Sequence, residues 1–516
     1  MENAIFIGGG GEGYAEQQGL LLNYANRHGL IAGATGTGKT VTLQTLAEGF
    51  SAAGVPVFLS DIKGDLSGLA AAGSAEFKLH DAFMKRAATI GLDLQYDKFP
   101  VTFWDLYGDQ GHPVRTTVAE MGPLLLARML ELSDVQEGVL NIVFRVADEE
   151  GLPLLDLKDL QSMLLWVGEH ASEIALRYGN IASASIGAIQ RQLLVLENQG
   201  ATAFFGEPAL DLMDMMQVAP DGRGQINLLA ADKLMNSPRL YATFLLWLLS
   251  ELFEELPEVG NPDKPKLVFF FDEAHLLFDD APKALVDKVE QVARLIRSKG
   301  VGVYFITQNP ADVPEDILGQ LGNRVQHALR AFTAKDQKAL RQAAENYRPN
   351  PAFDIADAIT EVGTGEAVTS MLENKGIPGI AQRTLIRPPS SKLGPIEASD
   401  RKALMATSPM GAKYDTAVDR ESAHEILLKR ADAAAKEATA AEEAEAKAED
   451  EEREFRNARR YDGGSSRSTK TRTTRSRSTK NESFGEAIGS AVIKELKGTT
   501  GRRIVRGILG TLFKSR

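Results

Sequence analysis

Eight residues near the start of the chain restrict its fold more than any other segment does. They read Gly33-Ala34-Thr35-Gly36-Thr37-Gly38-Lys39-Thr40 and follow the apolar run Gly29–Ala32. After them, residues 41–50 place apolar side chains at helical spacing. A strand, a glycine-rich loop and a helix in this order predict a tight turn whose backbone N–H groups face an anion at the helix N-terminus.

The same eight residues satisfy the P-loop pattern, in the strand-to-helix context that the pattern requires. In a P-loop the backbone amides hold the phosphates of a nucleoside triphosphate, here predicted to be ATP. We expect Lys39 to reach the β- and γ-phosphates and Thr40 to offer its hydroxyl to Mg²⁺. A glycine-rich turn that meets the pattern by accident is the alternative, and the flanking strand and helix argue against it.

A second predicted strand ends in two adjacent carboxylates. Leu267–Phe271 is continuously apolar and is followed by Asp272 and Glu273. Alone, such a pair is typical of a helix N-cap with acid in its first turn. Beside a P-loop, Asp272 is predicted to hold Mg²⁺ through its water shell, and Glu273 to orient and polarise the attacking water. We therefore predict an ATPase in which Glu273 and Lys39 are catalytic. His275 is assigned no catalytic role.

Other residues are weaker candidates for the same site. Arg294 and Arg297 share one face of a predicted helix, and one of them could reach the γ-phosphate bound by a neighbouring subunit; a solvated basic face is the alternative. Gln308 follows the apolar strand Val301–Thr307, where it could sense the γ-phosphate or be an ordinary loop residue. The turn Asp61-Ile62-Lys63-Gly64-Asp65 could line the same edge of the sheet or be only a polar turn.

Continuously apolar segments indicate a mainly parallel sheet with helices on both faces, which is an α/β fold. A closing hairpin is also predicted near the end of the core, around Gly376. The predicted core strands are residues 29–32, 55–60, 101–105, 225–230, 267–271 and 301–307, and those of the hairpin are residues 366–370 and 383–386.

Shifts in composition divide the chain into five segments. Residues 1–74 carry the P-loop, 75–220 form a mainly helical insertion, and 221–390 complete the ATPase core with the acidic pair. Residues 391–462 are a linker and an Ala/Glu-rich helical arm. Residues 463–516 are a basic low-complexity linker followed by a cationic amphipathic helix, together forming a tail.

Composition excludes several classes of site. The chain contains no cysteine, so disulfides, cysteine-held metal centres and cysteine nucleophiles are excluded. No apolar run reaches the roughly 18 residues of a membrane-spanning helix, and we predict a cytoplasmic protein. The formal net charge of −12 is uneven, because residues 463–516 hold 13 Lys or Arg against 3 Glu. This basic tail could bind an acidic partner, an anionic membrane surface, nucleic-acid phosphates or the acidic body itself.

These motifs resemble the HerA/FtsK branch of RecA-like motor ATPases, and within it the bacterial HerA-like proteins with a helicase-type C-terminal domain. The resemblance covers roughly residues 25–390. It implies a RecA-like P-loop fold, a hexameric ring and movement of double-stranded DNA through a central pore. It also implies that Lys39 and Thr40 occupy the phosphate and metal positions, Asp272 and Glu273 the acidic pair, Arg294 or Arg297 the arginine acting in trans, and Gln308 the sensor.

Two functions remain open at this stage. The first is an oligomeric DNA translocase or helicase driven by ATP hydrolysis between subunits. The second is an ATP-dependent switch or assembly scaffold, in which the helical arm and the basic tail recruit a protein or membrane partner without nucleic acid. The acidic body keeps the second alternative open, because a protein that tracks along DNA needs a basic surface.

Overall fold

The apolar segments form the middle of one twelve-stranded sheet in the computed structural model, which describes residues 3–278 and 283–461. The strands lie in the order β2-β1-β12-β11-β10-β3-β9-β8-β4-β7-β5-β6. Their bounds are β1 Ala4–Gly10, β2 Glu16–Leu21, β3 Gly29–Ala32, β4 Val57–Asp61, β5 Val101–Asp105, β6 His112–Pro113, β7 Ile226–Ala230, β8 Leu267–Phe271, β9 Val301–Thr307, β10 Asn323–Gln326, β11 Glu366–Ser370 and β12 Gln382–Ile386.

Sixteen α-helices are described in the same residues. They are α1 Lys39–Ala52, α2 His80–Thr89, α3 Val118–Met129, α4 Asp134–Glu149, α5 Leu157–Glu169, α6 Ala171–Tyr178, α7 Ser183–Asn198, α8 Leu212–Met215, α9 Pro238–Glu255, α10 Lys283–Ile296, α11 Glu315–Leu318, α12 Ala334–Glu345, α13 Ile355–Glu361, α14 Ala398–Thr407, α15 Met410–Tyr414 and α16 Ala423–Tyr461. None of these described helices is both long enough and apolar enough to cross a membrane.

The eight strands from β10 to β6 pair in parallel. Their carboxyl ends therefore lie along one edge of the sheet, here called the carboxyl edge, and their amino ends along the opposite, amino edge. The predicted hairpin of β11 and β12 pairs antiparallel and adds to β10. The predicted α/β fold with a mainly parallel sheet is confirmed.

Helix α1 anchors the P-loop because it packs on the middle of the sheet. Phe50 is fully buried, and its ring centroid lies 6.0 Å from that of Phe270 in β8 and 5.9 Å from that of Tyr304 in β9. Burying an aromatic ring of this size contributes roughly 1.5–3 kcal/mol. The helix, and with it the loop at its start, is thus fixed against the two strands that carry the other candidate site residues.

The first two strands were not predicted from the sequence. Gly8, Gly9 and Gly10 lie in β1, which pairs with both β2 and β12. A Cβ at Gly8 would lie 2.1 Å from the Leu385 carbonyl oxygen, so the close approach of β12 requires glycine there. The glycines therefore serve strand packing in this part of the sheet.

The segment 75–220 is not built from helices alone. Strand β5 lies within it and pairs with β7 inside the main sheet, while α3 to α8 fill the chain between β6 and β7. The helices of this segment are therefore α2, which precedes β5, and α3 to α8, which span residues 118–215. Strong N-caps begin two of its helices: Thr117 forms a capping box with Glu120, and Asp156 accepts hydrogen bonds from two backbone N–H groups.

The chain divides into two units, Met1–His424 and Glu425–Arg516. The first extends well past residue 390, where the sequence placed a linker, because the buried carboxylate of Glu48 in α1 holds the chain after β12. Glu48 accepts hydrogen bonds from the Ser391 N–H at 2.9 Å, the Ser391 hydroxyl at 2.6 Å and the Arg387 guanidinium at 3.0 Å. A long-range clamp of this kind leaves no periodic signature in the sequence.

The second unit is described as far as Tyr461, and its described residues belong to α16. The helical arm predicted within residues 391–462 is observed there, and almost all side chains of residues 431–453 are exposed. The predicted basic linker and amphipathic helix at residues 463–516 lie outside the described residues.

We predict that Glu48→Ala lowers the free energy of unfolding by about 3–5 kcal/mol, because the substitution leaves Arg387 and the Ser391 N–H buried without their acceptor. Urea denaturation measures the change. The matched control is Glu397→Ala in the same segment, where the exposed side chain predicts a change within about 0.5 kcal/mol. Equal stabilities for the two variants would contradict the stabilising role of the Glu48 hydrogen bonds.

Candidate active site

The P-loop residues connect β3 to α1 at the carboxyl edge of the sheet. Gly36 and Gly38 have φ values of 80° and 115°, in the left-handed region that favours glycine. Lys39 is the first residue of α1, and its ammonium group donates to the carbonyls of Gly33 at 2.6 Å and Ala34 at 3.2 Å. Since the first N–H groups of a helix have no partner within it, the loop presents amides and a cation together.

A buried histidine holds this loop in place. The Cβ atom of His327, just after β10, packs so closely on Gly33 that a Cβ at Gly33 would lie 2.5 Å from it. The His327 Nδ1 lies 3.0 Å from the Glu366 carbonyl oxygen, and Nε2 lies 2.8 Å from the Thr42 hydroxyl. Because a carbonyl only accepts, Nδ1 is the donor and Nε2 accepts from Thr42. Burial lowers the pKa of His327 to about 4.

The two acidic residues follow β8 at the same edge. Asp272 is buried and lines one cleft together with Lys39, Thr40 and Lys63. Burial raises the pKa of Asp272 to about 6, although the nearby Lys63 ammonium opposes the shift and the adjacent Glu273 carboxylate adds to it. The structure therefore brings the predicted metal-side carboxylate to the cleft that contains the P-loop lysine.

Glu273 lies beside Asp272 with both carboxylate oxygens engaged. Its φ of 48° is in the left-handed region, which is unusual outside glycine and sets the direction of the side chain. Oε1 is 2.5 Å from the Lys63 ammonium, and Oε2 is 3.4 Å from the Gln308 amide and 3.3 Å from His275 Nδ1. Burial would raise the pKa of Glu273, but the ion pair with Lys63 outweighs burial and lowers it.

The donor set at the phosphate end of the cleft fits Mg²⁺. The Thr40 hydroxyl and the Asp272 carboxylate both line it, and oxygen ligands of this kind, completed by water and phosphate, are those that Mg²⁺ prefers. Bound there, the ion would supply positive charge to the phosphate oxygens. No group of three or more acidic or histidine side chains that could hold a metal ion occurs in the described part of the chain.

The far end of the cleft is mostly apolar and was not predicted. The cleft has a volume of about 420 Å³. Arg86 of α2 closes one side by donating to the carbonyls of Gly365 at 3.1 Å and Thr364 at 3.0 Å. This end can hold the nucleoside of a triphosphate whose phosphates lie on the loop. It is lined by Val41, Leu79, Ala82, Phe83, Pro388 and Leu393.

The two candidate arginines lie away from this cleft. Arg294 is exposed on α10 and forms an ion pair with Glu290. Arg297 lies just before β9 at the amino edge, and its carbonyl accepts from Asn26 at 3.3 Å. Burial lowers the pKa of Arg297, and the nearby Arg27 lowers it further. Among the described residues, neither Arg27 nor Arg297 has a carboxylate within ion-pair distance. Arg27 was not singled out from the sequence.

The polar turn after β4 has two separate roles. The Asp61 carboxylate accepts from the N–H groups of Gly64 at 2.8 Å, Asp65 at 3.2 Å and Leu66 at 3.0 Å, so it shapes the turn. Burial raises the pKa of Asp61 to about 7. Lys63 instead extends into the cleft and reaches Glu273. Asp61 therefore shapes the turn, whereas Lys63 is the residue of the turn that reaches the cleft.

The buried His327 makes the stability of the folded protein depend on pH. Its pKa in the folded protein is about 4, below the ordinary value of 6.5, so the unfolded chain binds the proton at higher pH. Stability is thus complete above pH 6.5 and is lost as the pH falls towards 4, by on the order of 2 kcal/mol at pH 5 for this residue. We predict that His327→Gln flattens this loss between pH 7.5 and 5 in urea denaturation. An unchanged pH dependence would contradict the assignment.

Comparisons with known proteins identify the family to which the chain is similar. The family model described as "Helicase HerA-like C-terminal" matches residues 10–516. The chain is 23% identical over 364 residues to the DNA double-strand break repair helicase HerA of Sulfolobus acidocaldarius, covering 68% of this chain and 63% of that protein. It is 27% identical over 122 residues to the same-named protein of Pyrococcus furiosus, covering 23% of this chain and 20% of that one. The chain thus spans less than two thirds of these relatives.

Two solved structures superpose on the chain at low sequence identity. The conjugative coupling protein TrwB superposes with a TM-score of 0.49 at 15% identity, over 76% of this chain and 92% of that one. VirB4 of Thermoanaerobacter pseudethanolicus superposes with a TM-score of 0.47 at 15% identity, over 75% and 97%. Because the family model matches residues 10–516 of this chain, the chain belongs to the helicase HerA-like C-terminal family of P-loop ATPases.

Proposed function

We propose that this protein hydrolyses Mg-ATP and uses the hydrolysis to move double-stranded DNA. The observation that carries the ATPase assignment is the meeting of Lys39, Thr40, Lys63 and Asp272 in one cleft, with Glu273 in contact with Lys63 at its edge. These residues come from strands far apart in the sequence, and parallel pairing alone brings their carboxyl ends together.

In this proposal the chain's own groups divide the work of hydrolysis. The loop amides and the Lys39 ammonium hold the phosphates and stabilise the charge that develops on the γ-phosphoryl oxygens. Glu273 orients a water molecule and accepts its proton as the water oxygen bonds to the γ-phosphorus. The bond from that phosphorus to the β–γ bridging oxygen breaks, which gives ADP and phosphate. Gln308, hydrogen-bonded to Glu273, is placed to respond to loss of the terminal phosphate.

The positions of the arginines favour an oligomer. Strand β9 lies between Arg297, which precedes its amino end, and Gln308, which follows its carboxyl end, and the strand itself is roughly 20 Å long at 3.3 Å per residue. Arg27 and Arg297 form a basic pair at the amino edge, and an adjacent subunit packed head to tail can bring that pair to the cleft of its neighbour. We propose a ring with six subunits, the number that the family resemblance implies, in which Arg297 acts in trans.

DNA is proposed as the substrate because the HerA relatives are named as DNA repair helicases. The exposed helix α16 favours a second candidate function, an ATP-dependent switch that recruits a protein partner or a membrane surface through the arm and the basic tail. The two functions differ in what stimulates ATP hydrolysis.

The test is the ATPase rate with and without duplex DNA at 50 and 200 mM salt, together with the particle size in nucleotide. A motor predicts stimulation by DNA that weakens at higher salt, and a hexamer-sized particle. Glu273→Gln should retain ATP binding while turnover falls by roughly 100-fold or more, and Lys39→Ala should lose both. Turnover that ignores DNA, with loss of partner binding on removal of residues 400–516, would support the switch instead.

Mixing two inactive variants tests whether Arg297 acts in trans. Arg297→Ala keeps the P-loop and Lys39→Ala keeps the arginine, so a 1:1 mixed ring has intact interfaces at about a quarter of its sites. We predict that mixing restores about that share of the wild-type rate. Arg294→Ala should retain activity, because its guanidinium is already paired with Glu290. No recovery on mixing would show that Arg297 does not act across subunits.

A further inference from the structure

Lys63 holds the carboxylate that the proposed mechanism assigns to water activation. Its ammonium lies 2.5 Å from Glu273 Oε1, and the side chains are 43% exposed for Lys63 and 5% exposed for Glu273. The lysine thus reaches a buried carboxylate from the open side of the cleft. With Gln308 and His275 on Oε2, both oxygens of Glu273 have partners, and the cation on Oε1 makes the carboxylate a weaker base towards a water held for attack.

The backbone around Lys63 is fixed, while its side chain is partly exposed on the open side of the cleft. Asp61 holds the turn through three backbone N–H groups, and β4 pairs with β8 so that Ser60 lies opposite Phe271. This register places Lys63 and Glu273 just past the ends of neighbouring strands. A lysine stem has four rotatable carbons, so its ammonium can change partners without any change in the backbone.

The same ammonium also faces the phosphate end of the cleft. Lys63 lines it together with Lys39, Thr40 and Asp272. Burial lowers the pKa of Lys39, and the nearby Lys63 charge also acts to lower it. Two neighbouring ammonium groups beside a P-loop suit a ligand with more than one negative charge. Lys63 therefore has two competing anionic partners in reach, the Glu273 carboxylate and the terminal phosphate of a bound triphosphate.

We propose that Lys63 senses the terminal phosphate: its ammonium moves from Glu273 to the γ-phosphate of ATP, and the move frees Oε1 of Glu273 to accept the proton of the attacking water. This inference rests on the proposed ATPase function. ADP has no γ-phosphate, so with ADP the lysine stays on Glu273 and the carboxylate remains occupied. The partner of the Lys63 ammonium thereby distinguishes the ATP-bound site, which can hydrolyse, from the ADP-bound site.

The experiment compares the affinities of full-length protein for ADP and for a non-hydrolysable β,γ-imido analogue of ATP. We predict that Lys63→Met weakens binding of the analogue roughly 10- to 100-fold and changes binding of ADP less than about twofold. Its kcat should fall by more than about tenfold, and Lys63→Arg, which keeps a cation, should restore part of the difference between the nucleotides. Lys158→Met, at an exposed lysine of α5, is the matched control and should behave as wild type.

A second variant tests the transfer without altering the lysine. Glu273→Gln removes the competing anion, so binding of the analogue should tighten severalfold while binding of ADP stays unchanged. Equal losses for both nucleotides in Lys63→Met, a wild-type kcat in that variant, or an unchanged analogue affinity in Glu273→Gln would each overturn the proposal. If instead wild-type protein bound neither nucleotide, or Glu273→Gln kept full turnover, the proposed function itself would fail.

Discussion

Parallel hydrogen bonding between β3, β9, β8 and β4 is the constraint on which the rest of the structure depends. Each strand is followed by a candidate site residue, and parallel pairing brings all four ends to one edge. The P-loop follows β3, Gln308 follows β9, the acidic pair follows β8 and Lys63 follows β4. If one of these strands ran in the opposite direction, its functional residue would lie about 15–20 Å away at the amino edge.

Much of this arrangement could be predicted from the sequence. Continuously apolar strands predicted the parallel sheet, and the principle that ligands lie at carboxyl ends predicted that Lys39, Asp272, Glu273 and Gln308 share one edge. The residue roles within that edge remain predictions. The hairpin of β11 and β12 could also be predicted, because two strand-like segments flank a glycine-containing turn.

Other features could not be predicted, since they depend on single contacts between distant residues. His327 has no periodic signature and is recognised only by its packing on Gly33. The partner of Lys63 is Glu273, 210 positions further along the chain, so the turn after β4 looked like any other polar turn. The strand role of the β1 glycines is also hidden, because the sequence does not reveal the neighbouring strand that requires them.

The central claim is that one cleft holds a triphosphate between the P-loop and the acidic pair. It is tested most directly by an experimental structure of the protein with Mg²⁺ and a non-hydrolysable ATP analogue. The account predicts the terminal phosphate next to Lys39, with Lys63 turned towards it and Glu273 within about one water molecule of the phosphorus. A triphosphate bound elsewhere, or a Glu273 carboxylate separated from the phosphate by packed side chains, would contradict it.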